Sequence, residues 1–342
     1  MVKKSILIDA VYINSGGGKV LLEYLIGYLN KLEVEPFYLL DSRLSLDNSI
    51  KLKNFYVVKP SEKERKINYQ KLKKNNFKSV LCFANIPPPI SLESSVYIYF
   101  HNELLLYPFK SNSNFLNKFK LFIKKLYILN KNKDNYCWIV QTRRVANKIN
   151  TYMNVEMKKI KVFPFYKSGN NLKLSKFKEF NTFIYPSNFE NHKNHFKLYK
   201  AFLKASKKNK IKLYLTIDNK IYEKSFYNKT KNKNIQFINL GLIPNQELIK
   251  YISKSKFLIF PSLNETFGLP LIEAVDYGCY LIASDLDYVN EIVQPSLNFN
   301  PYSVNSISNA IFDCLNSKNI KSPKIKIENK IGNFVEYILK NV

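Results

Sequence analysis

Between Phe260 and Ala274 the chain reads Phe-Pro-Ser-Leu-Asn-Glu-Thr-Phe-Gly-Leu-Pro-Leu-Ile-Glu-Ala, which sets two carboxylates, Glu265 and Glu273, eight residues apart. The apolar run that precedes it reads as a strand, and the run from Leu269 reads as a helix. Glu265 is therefore expected in the loop at the strand's carboxyl end and Glu273 on the helix. Two carboxylates so placed can accept hydrogen bonds from two sets of hydroxyls. The N–H groups of Phe267, Gly268 and Leu269 at the helix start suit a phosphate or sugar oxygen. The plainer alternative is one glutamate favoured by the helix dipole and a second exposed on the helix side.

A second strand-to-helix turn, Ile13-Asn14-Ser15-Gly16-Gly17-Gly18-Lys19, could bring backbone close to a phosphate at a helix start. The full dinucleotide pattern G-x-G-x-x-G is missing, as is the Walker sequence. A tight structural turn is an equal account of these glycines. The chain has three histidines. His101 ends the apolar run Val96–Phe100 and so stands at the carboxyl end of a strand. His192 and His195 are three residues apart, but no cysteine or third histidine nearby completes a zinc set. Asp285-Leu286-Asp287 spells the metal-binding D-x-D, read here as coincidence. Arg143-Arg144 could meet an acceptor phosphate, with a solvated helix start as the plainer reading.

The elements that must hold these residues alternate short β-rich runs with helical stretches, the pattern of parallel α/β sheets. Strands are expected at 5–13, 36–41, 54–59, 79–84, 96–101, 137–142 and 160–164, with helices at 19–32 and 115–131. After a polar stretch the alternation restarts, with strands at 182–185, 212–217, 235–240, 257–261 and 280–283. Helices are expected there at 194–207, 246–253, 269–277 and 304–315. This divides the chain into an N-terminal Rossmann-like domain (1–166), a linker (167–180), a C-terminal Rossmann-like domain (181–325) and a C-terminal helix (326–342) that could pack back on the first domain. Two doubly wound domains imply a cleft with ligands at the carboxyl strand ends.

The 342 residues suit two domains of ~150 residues each. At 46% hydrophobic and 15% aromatic residues, the composition excludes a disordered chain. No apolar run approaches the ~18–20 residues of a membrane helix, and the N-terminal run, stopped at Asp9, is too short for a signal-peptide core. Cys82, Cys137, Cys279 and Cys314 lie far apart in apolar settings and read as buried free thiols of a cytosolic protein. The net charge of +28 is spread over both halves. Lys, Asn, Ile, Phe and Tyr all have AT-rich codons, so base composition accounts for much of it. A basic surface still attracts polyanions. The aromatics lie in core-like runs rather than interleaved with charge, which argues against a specific nucleic-acid partner.

Glu265 and Glu273 form an E-x7-E motif, and the run around them resembles the nucleotide-sugar site of family 4 glycosyltransferases, retaining enzymes of GT-B fold. Asn239-Leu240-Gly241-Leu242-Ile243, Gly278, Ala283-Ser284-Asp285 and Glu291-Ile292-Val293 are similar to that family's flanking segments, and His192-Lys193-Asn194-His195 to its "HKN" segment. The resemblance is dense over ~180–315 and sparse before it, and it implies that 181–325 binds the nucleotide-sugar and 1–166 the acceptor. It implies that Glu273 holds the ribose hydroxyls and that Glu265 holds the donor sugar's hydroxyls near the reacting carbon. Lys193 is implied to neutralise the diphosphate, with Gly16, Gly17 and Gly18 approaching it. Leu242 and Ile243 are implied to touch the base, and His101 the reacting face of the sugar. Many relatives have an arginine six residues before the lysine, where this chain has Ser187, so charge compensation leans on Lys193.

The expected activity is transfer of a sugar from a UDP- or GDP-sugar to a glycan, such as lipid-linked O-antigen, capsule or lipopolysaccharide. The resemblance implies retained configuration, no essential metal and no cofactor. A GT-B nucleotide-sugar epimerase and a non-catalytic polyanion-binding protein are the alternatives. In segment 115–131, Phe115, Phe119, Phe122, Ile123, Leu126 and Tyr127 share a helical face flanked by Lys118, Lys120, Lys124 and Lys125. That composition fits either a peripheral contact with the inner face of the cytoplasmic membrane or a helix buried on a sheet.

Overall fold

The computed structural model describes residues 3–110, 115–169, 178–206, 210–225, 234–317 and 319–340. The chain forms two compact units, Met1–Lys167 with Glu328–Val342, and Ser168–Ile327. Of the stretch read as a linker, residues 170–177 lie outside those described.

The first unit runs β1 (Lys3–Ala10), α1 (Gly16–Lys31), β2 (Glu35–Asp41), β3 (Phe55–Val58), α2 (Glu62–Leu72), β4 (Ser79–Cys82) and β5 (Ser95–Tyr99). It continues through α3 (Phe115–Lys131), β6 (Cys137–Val140), α4 (Arg143–Met153) and β7 (Ile160–Val162). These strands form one parallel sheet in the order β3-β2-β1-β4-β5-β6-β7. Because helices cover both faces, the central strands are mostly apolar, and β4 and the Trp138–Val140 part of β6 are buried along their whole length. The sheet starts from β1 in its middle, so the switch point lies between the carboxyl ends of β1 and β4.

The second unit repeats the order. Its elements are β8 (Glu179–Tyr185), α5 (His195–Ala205), β9 (Ile211–Leu215), α6 (Asn219–Ser225), β10 (Ile235–Asn239), α7 (Asn245–Lys254), β11 (Ser255–Phe260) and α8 (Leu269–Asp276). There follow β12 (Tyr280–Ser284), α9 (Asp287–Ile292), β13 (Val293–Gln294), β14 (Leu297–Phe299), α10 (Val304–Asn316) and β15 (Lys324–Ile325). Its parallel sheet reads β10-β9-β8-β11-β12-β14, with the switch point between β8 and β11. The last helix, α11 (Ile331–Leu339), belongs to the first unit. There Phe334 stacks on Phe165 at 5.0 Å, and the Ser79 hydroxyl donates to the carbonyl of Ile338 at 2.7 Å. The fold is α/β, two Rossmann-like doubly wound domains.

The run 5–13 is not one strand. β1 stops at Ala10 because the Asp9 carboxylate accepts the N–H of Val11 (3.1 Å), and the turn carries Tyr12 at φ +86°. Tyr12 is held there by its N–H to Asp41 (3.0 Å) and its hydroxyl to Glu62 (3.3 Å). Asp9 also accepts from Arg65 Nε (2.7 Å) and the Tyr69 hydroxyl (2.8 Å), and Asp9 and Arg65 are 1% and 2% exposed. Arg65 donates onward to the Ile86 carbonyl at 3.0 Å. Every partner in this buried cluster is satisfied, and removing one leaves a charge in the core. Arg65→Met is expected to cost about 3–5 kcal/mol, and Asp9→Asn/Arg65→Met together clearly less. Urea unfolding followed by the fluorescence of Trp138 measures this, since the chain's single tryptophan is fully buried in the same unit. Equal losses in both variants would rule out a stranded Asp9 charge as the cause.

Candidate active site

In the second unit the loops after β8 and β11 meet at the switch point. Lys193 lies in the short turn Asn191–Lys193 ahead of α5, and its Nζ is 2.6 Å from Glu265 Oε1, with both side chains largely buried. Backbone and buried side chains fix this pair. The Leu263 N–H donates to the His192 carbonyl (2.7 Å), and the Tyr185 hydroxyl donates to the Lys193 carbonyl (2.8 Å) while bonding Ser262 Oγ (2.9 Å). Asn194, in the left-handed region at φ +62°, donates from Nδ2 to the carbonyls of Pro261 (3.2 Å) and Pro301 (2.8 Å). Sequence reasoning assigned no role to Tyr185 or Asn194. The one available signal was an asparagine just before a helix, where αL backbone is tolerated.

Gly268 caps the start of α8 at φ +84°, and a Cβ there would stand 3.1 Å from Leu271 Cδ1. The turn that swings Glu265 back beside Lys193 therefore requires glycine. Phe267 is buried and Leu269 is the first residue of α8, with Pro270 behind it. Glu273 sits on α8, half-buried, and burial beside Asp276 raises its carboxyl to about 7. Leu242 is exposed and Ile243 half-buried in the loop after β10. Ser187 is buried, its N–H bonded to Thr216 Oγ1 at 2.8 Å, so no cation stands at that position. Asp285 accepts from Asn290 and Asn298, which gives the D-x-D acid a structural part. Among the described residues no group of three or more His, Cys, Asp or Glu could hold a metal ion.

In the first unit the switch point gathers Gly18, Asn85 and His101. Gly16, Gly17 and Gly18 form the first turn of α1 rather than a loop ahead of it. A Cβ on Gly18 would stand 3.4 Å from His101 Nε2 and 3.3 Å from Ile13 Cδ1, so the helix start lies close against the imidazole and a side chain there would press on the end of Ile13. Asn85, at φ +68°, accepts the His101 N–H at 2.6 Å and has its amide 3.4 Å from Nε2. His101 Nδ1 is buried with no partner among the described residues. The reading of Arg144 as a solvated helix start is corrected. Its Nη1 lies 2.7 and 2.8 Å from the carboxylate oxygens of Glu103, which is 1% exposed and also bound by Lys148 and Tyr107. Cys137 is likewise not fully buried, and its Sγ lies 3.3 Å from the Tyr337 hydroxyl.

Burial lowers His101 to about 4 and His195 to about 3, so both are neutral at pH 7. His195 is 4% exposed, with neither ring nitrogen bonded among the described residues and its ring between Tyr185 and Phe189. The unfolded chain protonates these rings near 6.5 and the folded one does not, so their contribution is present above 6.5 and is lost as the pH falls toward 4 and 3. Glu273 acts oppositely. Its contribution is present below the ordinary 4.5 and is lost as the pH rises through about 7. The melting temperature should drop between pH 6.5 and 4.5, and His195→Phe should flatten that drop. An unaltered slope in His195→Phe counts against a neutral buried ring.

Residues 170–331 match the model of the family "Glycosyl transferases group 1". Over 73 residues the chain is 34% identical to the serotype-specific mannosyltransferase WbdA of Escherichia coli, a match covering 21% of this chain and only 9% of that protein. The solved lipopolysaccharide outer core galactosyltransferase WaaB, in its apo form, superposes with a TM-score of 0.65 at 14% identity, covering 99% of this chain and 100% of that one. Anabaena HepE in complex with UDP and glucose gives 0.63 at 13% identity over 99% and 95%. These structural likenesses place the fold in the GT-B class. Residues 170–331 thus carry a glycosyl transferases group 1 domain.

Proposed function

We propose that this chain is a retaining, family 4 glycosyltransferase that moves a sugar from a nucleotide-sugar donor to a surface glycan carried on a lipid. The observation that carries the reading is the Lys193–Glu265 pair fixed at the β8/β11 switch point, with Glu273 following on α8. In the reaction the bond from the sugar's anomeric carbon to the diphosphate breaks, and a bond to the acceptor hydroxyl forms on the same face. The hydroxyl proton passes to the departing diphosphate. Lys193 would exchange part of its pairing with Glu265 for that diphosphate, whose charge grows as it leaves. Glu265 would then accept from the sugar's hydroxyls, and Glu273 from those of the ribose. Leu242 and Ile243 offer apolar contact to the base. Gly16, Gly17, Gly18 and His101, held together in the first unit, are assigned to the diphosphate and the sugar. With Ser187 where relatives have arginine, Lys193 is the principal cation, and turnover is expected to survive chelation of divalent metals. The E. coli relative is a mannosyltransferase and the Anabaena neighbour holds UDP and glucose, which supports a nucleotide-sugar donor and a glycan acceptor. A lipid-carried acceptor would bring the protein to the inner face of the cytoplasmic membrane.

Calorimetric titration with UDP, GDP and ADP tests the donor site. One nucleotide should bind selectively, and Glu273→Ala should weaken it at least tenfold, as loss of a charged hydrogen-bond acceptor does. Ribose hydroxyls donate to the ionised carboxylate, so with Glu273 raised to about 7 affinity should climb from pH 6 to 8. The nucleotide's own terminal phosphate titrates in the same direction at about 6, and Glu273→Gln separates the two by removing only the protein's part. If no nucleotide binds, or the Glu273→Ala protein binds as well as wild type, the donor-site assignment fails.

A further inference from the structure

Helix α3 carries two apolar sides where a helix covering a sheet needs one. Leu121, Ile128 and Leu129 pack on the first unit's core. The other side is uncovered. Phe115 is 72% exposed, Leu116 68%, Phe119 49%, Ile123 48% and Leu126 45%. At 100° per residue Phe115, Phe119, Phe122, Ile123 and Leu126 fall within an arc of about 100°, with Leu116 at its margin. Phe109, in the short turn Pro108–Lys110 and 54% exposed, extends the patch, its ring 5.4 Å from Phe122. Scattered exposed apolar residues need no explanation, whereas a contiguous group of this size marks a surface that meets something apolar.

The charges around the patch decide what that is. α3 contains five lysines and no acidic residue. Lys125 and Lys131 donate to the carbonyls of Leu106 (2.8 Å) and Pro89 (3.1 Å) and are tied to the body of the unit. Lys120 and Lys124 are exposed and Lys118 half-exposed beside the apolar arc. A second copy on this face would bring two lysine rims together, and an apolar protein partner would leave them unused. A bilayer with anionic headgroups takes up both parts, rings and aliphatic chains in the acyl boundary and ammonium groups among the phosphates. Among the described residues no helix is long and apolar enough to cross a membrane. We propose that the outer face of α3, with Phe109, lies on an anionic lipid bilayer. This contact is independent of the donor site.

Sedimentation of the full chain with phosphatidylcholine vesicles, and with vesicles containing a quarter phosphatidylglycerol, tests the proposal. The protein should partition to the anionic vesicles, less so at higher salt. Phe115→Ser/Phe119→Ser should reduce partitioning about tenfold or more while keeping every charge. Lys120→Glu/Lys124→Glu should reduce it severalfold. Lys73→Glu/Lys74→Glu changes the same charge at exposed positions elsewhere on the unit and should bind as wild type. All these side chains lie at the surface, so melting temperatures should match wild type. The proposal is overturned if no vesicle binds, or if the double serine variant partitions like wild type. It is equally overturned if both lysine variants lose the same amount, because the overall charge of +28 then suffices. A wild-type dimer that Phe115→Ser/Phe119→Ser makes monomeric would assign the face to a second copy.

Discussion

A parallel sheet that begins in its middle strand imposes the constraint from which the rest of this molecule follows. β1 lies between β2 and β4, and β8 between β9 and β11. The chain therefore leaves the two central strands of each sheet toward opposite faces, and no helix can close the gap above their carboxyl ends. The strands themselves are covered on both sides and admit little polarity, so side chains with chemistry collect where the strands stop. In the second unit Lys193 and Glu265 come from the two loops that flank such a gap, and in the first Asn85 follows β4 at the gap and holds His101, which follows the neighbouring β5.

Burial of charge separates scaffolding from candidate chemistry. Asp9 with Arg65 and Tyr69, and Glu103 with Arg144, Lys148 and Tyr107, are closed sets in which each charge meets its counterpart. They brace α2 and α4 against the sheet. Glu273, by contrast, is half-buried beside a like-charged Asp276, and His101 keeps a buried nitrogen without a partner among the described residues. Groups left in that state in a native fold suit a ligand that brings donors and acceptors of its own.

The alternation of elements was legible because parallel strands and amphipathic helices write opposite periods. The 115–131 helix and the start of α8 were readable to the residue. Strand ends were not, since Val11–Ile13 is as apolar as β1 and only the side chain of Asp9 diverts the backbone. α2, whose sequence Glu-Lys-Glu-Arg-Lys is strongly polar, left no apolar stripe to read, although it delivers the buried Arg65. The pairing of Arg144 with Glu103 spans 41 positions and has no local signature. Neither does the approach of Gly18 to His101, which depends on strand order. What could be read near Glu265 was local, a strand end, a glycine and a helix start within ten residues.

The return of the chain into the first unit sets the order in which the protein can be made. Phe334 stacks against Phe165 and lies 6.1 Å from Tyr99, Phe163 packs beside it, and the carbonyl of Ile338 takes the hydroxyl of Ser79 at the start of β4. That aromatic layer is filled only by residues translated after the whole of the second unit. Domains usually fold in order of synthesis. Here every residue of the second unit is made before α11, so the first unit, though begun earlier, keeps one side of its sheet unsealed until α11 is made. The unit begun first is the one finished last, and until then the aromatic face that receives Phe334 stays open to water.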